Sequence, residues 1–375
     1  GMAVHTDASA SSNVSLARHE EPGSGNDLAD MGDERLLPAD SRAAIGTITP
    51  PHPPKRDRAY HPRPVASRFC LILISIVAKL SLATAHRIGI VAGLFYSFVP
   101  GRLRNAGLTN LRVAFPDISD RELKRLARKS AMQEGRMLME LPALWTWPGE
   151  RVIELVREVE GRELLDEAIA RGKGVVAATP HIGSWELMLL WMGHEASMTA
   201  PFRKMRLPEL EEFVRTARQR TGARMILGQR YAARSLLRTL HEGGVIGMAP
   251  DQDAGFGTCV AVPLFHEVAN TGVLIPRLIG KSGATMLWVF AERLEGSAGF
   301  RMHIQAADPE IGSADVVRGA SAMNRDIESI VNRMPEQYLW SYRRYRRRPE
   351  GCRKVYTKGS WRIKHSALGG VPANR

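Results

Sequence analysis

The sequence predicts an α/β fold in which a mixed sheet is flanked by helices, with an apolar helical segment near the N-terminus that contacts a membrane. Three observations support this prediction. Helical and strand patterns alternate through most of the 375 residues, which is typical of α/β proteins. A long apolar run begins near Phe69. A segment rich in proline and small polar residues precedes that run.

Residues 1–66 are expected to form a disordered N-terminal extension. They are rich in Ala, Ser, Asp, Pro and Gly, and the stretch TPPHPPKRDRAYHPRP cannot propagate a helix or a central strand. Residues 1–54 hold eight acidic and three basic side chains, a net charge of −5, whereas the whole chain carries +13, so the rest carries +18. This excess favours an anionic partner, such as a membrane surface, a nucleic acid, an acidic carrier protein or a phosphorylated substrate.

Residues 67–116 are predicted to form apolar helices that associate with a membrane. The run FCLILISIVAKLSLATAHRIGIVAGLFYSFVP is interrupted by Lys79, His86 and Arg87. Its longest uncharged piece is shorter than the roughly 20 residues that a spanning helix needs. Two shorter helices lying in the membrane interface are therefore expected. A pair of buried core helices is the alternative interpretation.

Residues 117–352 are predicted to form the α/β domain, and residues 353–375 a basic C-terminal tail. Ser119 and Glu122 have the spacing of a capping box at the start of a long helix. Buried strands are predicted in GVVAAT and VIGMAP, and two strands joined by a turn in TMLWVFAERLEG and GFRMHIQAA. Helices are predicted in GRELLDEAIARGKG, LPELEEFVRTARQRTGA, RYAARSLLRTLHEGG and TGVLIPRLIGKSGA.

A histidine followed five positions later by an acidic residue occurs three times, as His52/Asp57, His181/Glu186 and His303/Asp308. The first pair stands in the proline-rich extension, and the third begins in a predicted strand that ends before the aspartate. His181 differs because it follows the buried strand GVVAAT and precedes an apolar helix. The end of such a strand is where α/β proteins place reactive groups.

His181 and Glu186 are predicted to form an acid–base pair. Ser184 is expected to cap the helix, so that Glu186 lies in the first turn and folds back past the flexible Gly183. The glutamate would then hold the imidazole in one tautomer. No obvious nucleophile accompanies the pair, since a cap role explains Ser184 and no G-x-S-x-G elbow is present. The predicted role is a general base that deprotonates a substrate hydroxyl, which then attacks an activated acyl group directly.

These residues resemble the motifs of the lipid A biosynthesis acyltransferases, within the glycerolipid acyltransferase superfamily. TPHIGSWE resembles the family's H-F-G-N-W-E block. NAGLTNLRVAFPDISDREL resembles an N-x-x-x-x-F-P segment before it, and APFRKMRLPELEEFVRTARQRTGARMI a segment with an arginine after it. GVIGMAPDQDAGFGTCVAVPLFHEVANTG resembles the P-D-Q-D stretch, and PEQYLWSYRRYRRRPEG the closing P-E-Q-W-x-W-x-x-R-R-W. The resemblance covers residues 67–352.

The resemblance implies a glycerolipid-acyltransferase-like fold and transfer of a fatty acyl chain to a hydroxyl of a lipid A precursor, an anionic glycolipid. The donor would be acyl carrier protein, or acyl-CoA, and the enzyme would work at the cytoplasmic face of the cell inner membrane. His181 becomes the catalytic base and Glu186 its partner. The residues implied to bind substrate are Arg203, Asp251, Asp253, Gly183 and Ser184. Neither a cofactor nor a metal is implied.

Three departures from the family pattern leave the acceptor open. Ile182 and Ser184 stand where the family commonly has Phe and Asn, and Tyr338 stands where it has Trp. A lysophospholipid or another glycolipid, such as a phosphatidylinositol mannoside, is therefore an alternative acceptor.

Two other classes of function remain as alternatives. A metal-dependent hydrolase would use His181, Asp251 and Asp253, but the chain has no H-E-x-x-H motif, and its three cysteines lack the spacing of a zinc site. A non-catalytic lipid- or nucleic-acid-binding protein would use the basic segment SYRRYRRRPEGCRK. Because an apolar run accompanies this segment, a membrane or a carrier protein is the expected partner and nucleic acid is not.

Overall fold

The structure is a computed structural model, and it describes residues 64–205, 207–228, 232–254, 259–349, 352–357 and 359–362. Nearly all of the extension predicted for residues 1–66 lies outside these ranges, as does the pair His52/Asp57. Most of the basic tail predicted for residues 353–375 also lies outside them.

Four helices of 13 or more residues precede the first strand in the described part of the chain. They are α1 (Pro64–Val77), α2 (Leu82–Phe98), α3 (Arg102–Ala114) and α4 (Asp120–Thr146). The capping box predicted at the start of α4 is confirmed. The Glu122 N–H donates to Ser119 Oγ, and the Ser119 N–H donates to Glu122 Oε2 at 2.9 Å. Two otherwise unpaired N–H groups are thereby satisfied, which fixes the residue at which α4 begins.

Helix α2 lies close to α4 because small residues meet where the two helices cross. A Cβ atom at Gly89 would overlap the carbonyl of Gly135, and one at Gly93 would overlap the carbonyl of Ala131. The opposite face of α2 carries large apolar side chains, and these stay exposed. The helix is therefore fixed by close backbone packing, while its bulkiest side chains take no part in the core.

Within the described ranges, no single helix is both long enough and apolar enough to cross a bilayer. Helices α2 and α3 taken together meet the requirement by length and composition alone, and they are bent by 86° relative to each other.

Seven strands form one mixed sheet, in the order β1-β9-β8-β2-β5-β3-β4. Neighbours run parallel except β8 and β9, which are antiparallel. A separate antiparallel hairpin is formed by β6 and β7. The strands are β1 (Val156–Glu160), β2 (Val175–Ala178), β3 (Thr199–Phe202), β4 (Arg224–Leu227), β5 (Val245–Met248), β6 (Cys259–Leu264), β7 (Glu267–Gly272), β8 (Thr285–Arg293) and β9 (Phe300–Ala306).

Helices cover both faces of the sheet, so the predicted α/β fold with a mixed sheet flanked by helices is confirmed. Along β2, Val175 and Ala177 enter one apolar core and Val176 and Ala178 enter the other, as expected of a strand buried on both faces. The remaining helices are α5 (Gly149–Ile153), α6 (Arg162–Ala170), α7 (Trp185–Ala196), α8 (Pro208–Gln219), α9 (Ala232–His241), α10 (Leu274–Ser282) and α11 (Val316–Arg333).

Candidate active site

Three of the residues singled out from the sequence follow three neighbouring parallel strands. His181 comes after β2, Asp251 after β5 and Arg203 after β3. Because parallel strands end at the same edge of a sheet, the three residues are brought to one edge, where α/β proteins bind their ligands. The fold therefore assembles these residues although up to 70 positions separate them in the chain.

The turn that carries His181 is held tightly by backbone hydrogen bonds. The Gly183 N–H donates to the Gln337 carbonyl at 3.0 Å, and the Ser184 N–H donates to the Ala291 carbonyl at 2.8 Å. Gly183 has φ +55°, and a Cβ atom there would overlap the Ala291 carbonyl. Glycine is thus required at this position both for its left-handed conformation and for its lack of a side chain.

His181 is bound at two points by Asp251. Its Nδ1 lies 2.7 Å from Asp251 Oδ1, and its backbone N–H donates to Asp251 Oδ2 at 2.8 Å. Since a carboxylate only accepts, Nδ1 carries the proton in this contact. The other ring nitrogen, Nε2, lies 3.1 Å from the side-chain nitrogen of Gln252. Because an amide N–H donates, this contact leaves Nε2 as an acceptor, which is the form a general base needs.

The electrostatics of Asp251 follow from its position. Burial alone would raise the pKa of its carboxyl, but the electrostatic attraction of His181 and the hydrogen bonds from its ring and backbone hold the pKa below the ordinary value. Burial together with the negative charge of Asp251 raises the pKa of Tyr338 well above its usual range. Asp251 is therefore an ionised, desolvated carboxylate beside the imidazole, with a neutral phenol next to it.

The contact predicted between His181 and Glu186 is wrong. The Glu186 carboxylate receives hydrogen bonds from Arg218 Nε at 2.8 Å, Arg218 Nη2 at 2.7 Å and Trp145 Nε1 at 2.7 Å. The physical reason is that Glu186 is 2% exposed, and a buried carboxylate needs a cation close by. Arg218 on α8 provides that cation, and Asp251 takes the position at the imidazole that was expected for Glu186.

Gly183 and Ser184 are buried, and their polar groups are engaged inside the chain. Ser184 precedes the first residue of α7, as predicted, but its side chain does not cap the helix. Its Oγ donates instead to Glu140 Oε1 at 2.7 Å. Glu140 also receives two hydrogen bonds from Arg293, at 2.8 and 2.7 Å, and Arg293 Nη2 donates to the Gly183 carbonyl. The buried ion pair between Glu140 and Arg293 therefore stabilises the turn that carries His181.

The same ion pair connects the turn to helix α2. His86 Nε2 lies 3.0 Å from Glu140 Oε2, and His86 Nδ1 lies 3.0 Å from Ser297 Oγ. Burial would raise the pKa of Glu140, but Arg293 and His86 lower it to about 2. The sequence analysis did not identify this network. Its signal was a set of charged or titratable residues, His86 and Glu140 among them, within otherwise apolar helical segments.

Asp253 and Arg203 differ in their surroundings. Asp253 is buried, and its Oδ1 accepts from Asn270 at 2.6 Å and from Arg347 at 3.2 Å. Its N–H donates to the Tyr342 hydroxyl at 3.0 Å. Arg203 is exposed, and among the described residues its guanidinium forms no ion pair. The geometry thus makes Asp253 a part of the loop's framework and leaves Arg203 accessible.

The basic segment near the C-terminus is partly internal. Arg344 is 3% exposed and donates to the Asn270 carbonyl and the Thr271 hydroxyl. Arg348 pairs with the buried Glu267. Only part of this positive charge can therefore meet a partner, because the rest stabilises the hairpin formed by β6 and β7.

The pair His303/Asp308 and the possible metal ligands were also singled out from the sequence. His303 on β9 lies 2.8 Å from Glu292 and 2.9 Å from Glu160, while Asp308 caps a short 3-10 helix. That pair diverges, as predicted. Among the described residues, no group of three or more His, Cys, Asp or Glu side chains is arranged to hold a metal ion.

Comparison with known proteins places the chain in a family. The sequence model described as "Bacterial lipid A biosynthesis acyltransferase" matches residues 53–347. The chain is 32% identical over 274 residues to a lipid A biosynthesis palmitoleoyltransferase of Escherichia coli (strain K12), a match that covers 72% of this chain and 86% of the relative. It is 27% identical to a lauroyltransferase of lipid A biosynthesis from the same organism, over 79% of this chain and 96% of the relative.

A myristoyltransferase of lipid A biosynthesis, also from E. coli (strain K12), is 25% identical over 68% of this chain and 79% of its own length. The matched segment contains the turn after β2, the loop after β5 and the residue that follows β3. The chain is therefore an acyltransferase and belongs to the bacterial lipid A biosynthesis acyltransferase family.

Proposed function

We propose that the protein transfers a fatty acyl chain from acyl carrier protein to a hydroxyl of a lipid A precursor, with His181 as general base. The observation that carries this proposal is the contact between His181 Nδ1 and the buried Asp251 at 2.7 Å, at the ligand-binding edge of the sheet. This contact leaves Nε2 unprotonated, so Nε2 can accept the proton of the acceptor hydroxyl.

The reaction then needs no covalent acyl-enzyme. As Nε2 takes the proton, the hydroxyl oxygen bonds to the thioester carbonyl carbon. The carbon–sulfur bond breaks when the tetrahedral intermediate collapses, and the imidazolium returns the proton to the leaving thiolate. The hydroxyl nearest to His181 in sequence, that of Ser184, is 1% exposed and bound to Glu140, which supports direct attack by the substrate.

We assign the role of orienting His181 to Asp251. Its two contacts fix both the ring and the backbone of His181, so the imidazole is held in one tautomer and one direction. Gln252 occupies Nε2 in the absence of substrate, and the acceptor hydroxyl would take its place. Trp185 packs against the imidazole edge, with ring centroids 5.1 Å apart, and limits the directions from which an acceptor can approach.

We further propose that Arg203 binds a phosphate of the acceptor. It follows β3 at the same edge of the sheet as His181, and it is exposed. A guanidinium offers two parallel donors to a phosphate. Gly183, Ser184 and Asp253 act by shaping the site, because their polar groups are already bound within the chain.

The proposed reaction is tested by transfer of a radiolabelled acyl chain from acyl carrier protein to tetra-acylated lipid A precursor in detergent micelles. The expected product is a precursor carrying one more ester-linked chain. Parallel reactions contain acyl-CoA as donor, or a lysophospholipid or a phosphatidylinositol mannoside as acceptor. Faster transfer to either of the other acceptors would refute lipid A precursor as the substrate, and a preference for acyl-CoA would refute the carrier protein as donor.

The exposed apolar side chains support a membrane role for the first helices. Both α1 and α2 carry several of them, although a soluble helix normally buries its large apolar side chains. We propose that this apolar face lies in the interface at the cytoplasmic face of the inner membrane. The apolar face consists of Phe69, Ile72, Leu73, Ile76, Ile88, Val91, Leu94, Phe95 and Phe98.

The double substitution Val91→Glu and Phe95→Glu is expected to lower binding to liposomes of phosphatidylethanolamine and phosphatidylglycerol by at least about tenfold. Each apolar side chain moved out of water contributes about 1.5–3 kcal/mol, and a carboxylate in its place is repelled by the anionic surface. Co-sedimentation measures the bound fraction. Ile169→Glu, at another exposed apolar residue, is the control and should bind as the wild type. Equal binding by all three proteins would contradict the proposal.

A further inference from the structure

A cavity of about 280 Å³ lies between the end of α2, α3, α4 and the segment at Trp340 and Ser341. Its apolar lining includes Phe98, Leu103, Leu108, Leu111 and Trp340. Neither His181, Asp251 nor Gln252 lines it, so it is separate from the catalytic site described above. Its volume is at the small end of the range of about 300–1,000 Å³ typical of ligand cavities. It therefore suits one hydrocarbon chain better than a whole glycolipid.

The cavity opens where the apolar face of α2 ends. Phe98 and Leu103, at its mouth, are 63% and 53% exposed. Phe98 belongs to the apolar face, and Leu103 follows it at the start of α3. A hydrocarbon chain that lies against the apolar face can therefore enter the cavity without crossing water or a polar surface.

Positive charge surrounds the mouth. Arg104, Lys124 and Arg128 line the cavity, and none of them forms an ion pair with another described residue. Arg104 Nε donates to the Ser97 carbonyl at 2.6 Å, which holds its guanidinium at the mouth. The carboxyl that lines the cavity is that of Glu134, whose pKa is raised by burial. The Glu134 carboxylate accepts from the Ser341 N–H at 3.2 Å and forms no ion pair with another described residue.

A second group of arginines continues this charge along the surface. Arg343 follows Ser341 by two residues, and Arg102 adjoins Leu103. The Arg343 guanidinium packs over the Tyr356 ring, 4.5 Å from its centroid, and is thereby held in place. Burial and the positive charges of Arg102 and Arg346 lower the pKa of Arg343. A region of excess positive charge is complementary to an anion.

We propose that the cavity binds one acyl chain of an anionic membrane phospholipid, whose phosphate contacts Arg104, Lys124 and Arg128. The lipid is held outside the catalytic site and is not acylated there. The apolar cavity, which opens onto the apolar face, suits a hydrocarbon chain. The cations around its mouth suit an anionic headgroup. The inference depends on the cavity and its charge, and it does not require the proposed acyl transfer.

The test uses the full-length protein in dodecyl maltoside micelles and phosphatidylglycerol that carries a photoreactive diazirine in one chain. Gly107 lines the cavity, and a Cβ atom there would lie 3.8 Å from the Trp340 carbonyl. Gly107→Ala therefore fits and is the matched control, whereas Gly107→Leu fills the cavity. We expect labelled peptides from α3 and α4 in the wild type and in Gly107→Ala, and about tenfold less label on them in Gly107→Leu.

The headgroup is tested by surface substitutions, which do not depend on repacking of the cavity. Arg104→Gln combined with Arg128→Gln is expected to lower labelling by about tenfold, because two charge-assisted hydrogen bonds are lost. Lys173→Gln, at an exposed lysine, should leave it unchanged. Phosphatidylcholine with the same diazirine chain should label less than phosphatidylglycerol.

Three results would overturn the proposal. Label confined to α1 and the outer face of α2, with no effect of Gly107→Leu, would show that lipid binds only the outer surface. Equal labelling by phosphatidylglycerol and phosphatidylcholine would show that the cations at the mouth do not select the headgroup. Displacement of the probe by tetra-acylated lipid A precursor, with a higher KM for that precursor in Gly107→Leu, would make the cavity part of the acceptor site.

Discussion

Asp251→Asn is expected to lower the rate of acyl transfer by about 10³–10⁴-fold while the protein stays folded. The asparagine side chain keeps the shape of the carboxylate but lacks its charge, so it no longer fixes the proton on His181 Nδ1 or stabilises the imidazolium. In a serine protease the corresponding change costs about 10⁴ in kcat. The measurement is the single-turnover rate with radiolabelled donor, and circular dichroism checks the fold.

Two matched variants make this prediction specific. Asp253→Asn removes a charge from the same loop but not from the imidazole, so its effect on the rate should be much smaller. Glu186→Gln removes the carboxylate that the sequence alone paired with His181. Since Glu186 binds Arg218 and Trp145, its loss should appear mainly as lower stability. A fully active Asp251→Asn beside a folded, inactive Glu186→Gln would mean that Glu186 is the catalytic partner after all.

Glu140→Ala is expected to destabilise the protein by about 3–5 kcal/mol, because it leaves the Arg293 guanidinium buried without its carboxylate. Both side chains are almost fully buried, at 0% and 1% exposure. The free energy of unfolding, measured by urea titration at pH 7, tests this prediction. Glu310→Ala breaks a surface ion pair with Arg318 and should change stability little. A Glu140→Ala protein as stable as the wild type would show that the buried network does not support the fold.

The lowered pKa of Glu140 makes the stability of the folded protein depend on pH. Its pKa is about 2 in the folded protein and 4.5 for an ordinary glutamate. A lowered pKa stabilises the folded state above about pH 4.5, and this contribution is lost as the pH falls toward 2. The contribution is on the order of 3 kcal/mol. Wild type should therefore lose more stability than Glu140→Gln between pH 5 and pH 3, and equal losses would contradict the assignment.

The sequence predicted those parts of the fold whose local pattern agrees with their environment. Strands β2 and β5 are continuous apolar runs buried on both faces, and β8 and β9 are joined by a short turn. The capping box of α4 is likewise a local signal. Strand β1, with its sequence VREVE, was not predicted, because most of its side chains are exposed at the edge of the sheet. Strand β3 was not predicted either, because it is only four residues long and contains Pro201.

His181 lies after β2, as predicted, but its side chain contacts Asp251 and not Glu186. That error arose because sequence spacing reports only neighbours along the chain, whereas Asp251 reaches His181 across the sheet from β5. Arg218 was missed for the same reason, since nothing local distinguishes it from Arg215, the other arginine of α8. The useful signal was the glutamate itself, because a carboxylate within an apolar helix requires a buried cation.

The most direct test of the account is acyl transfer to tetra-acylated lipid A precursor by the wild type, His181→Ala and His194→Ala. His194 is an exposed histidine on α7, so its variant controls for the loss of an imidazole in the same element. The account predicts that His181→Ala abolishes measurable transfer without changing the fold, and that His194→Ala works as the wild type does. Transfer that survives in a folded His181→Ala protein would contradict the assignment of His181 as the general base.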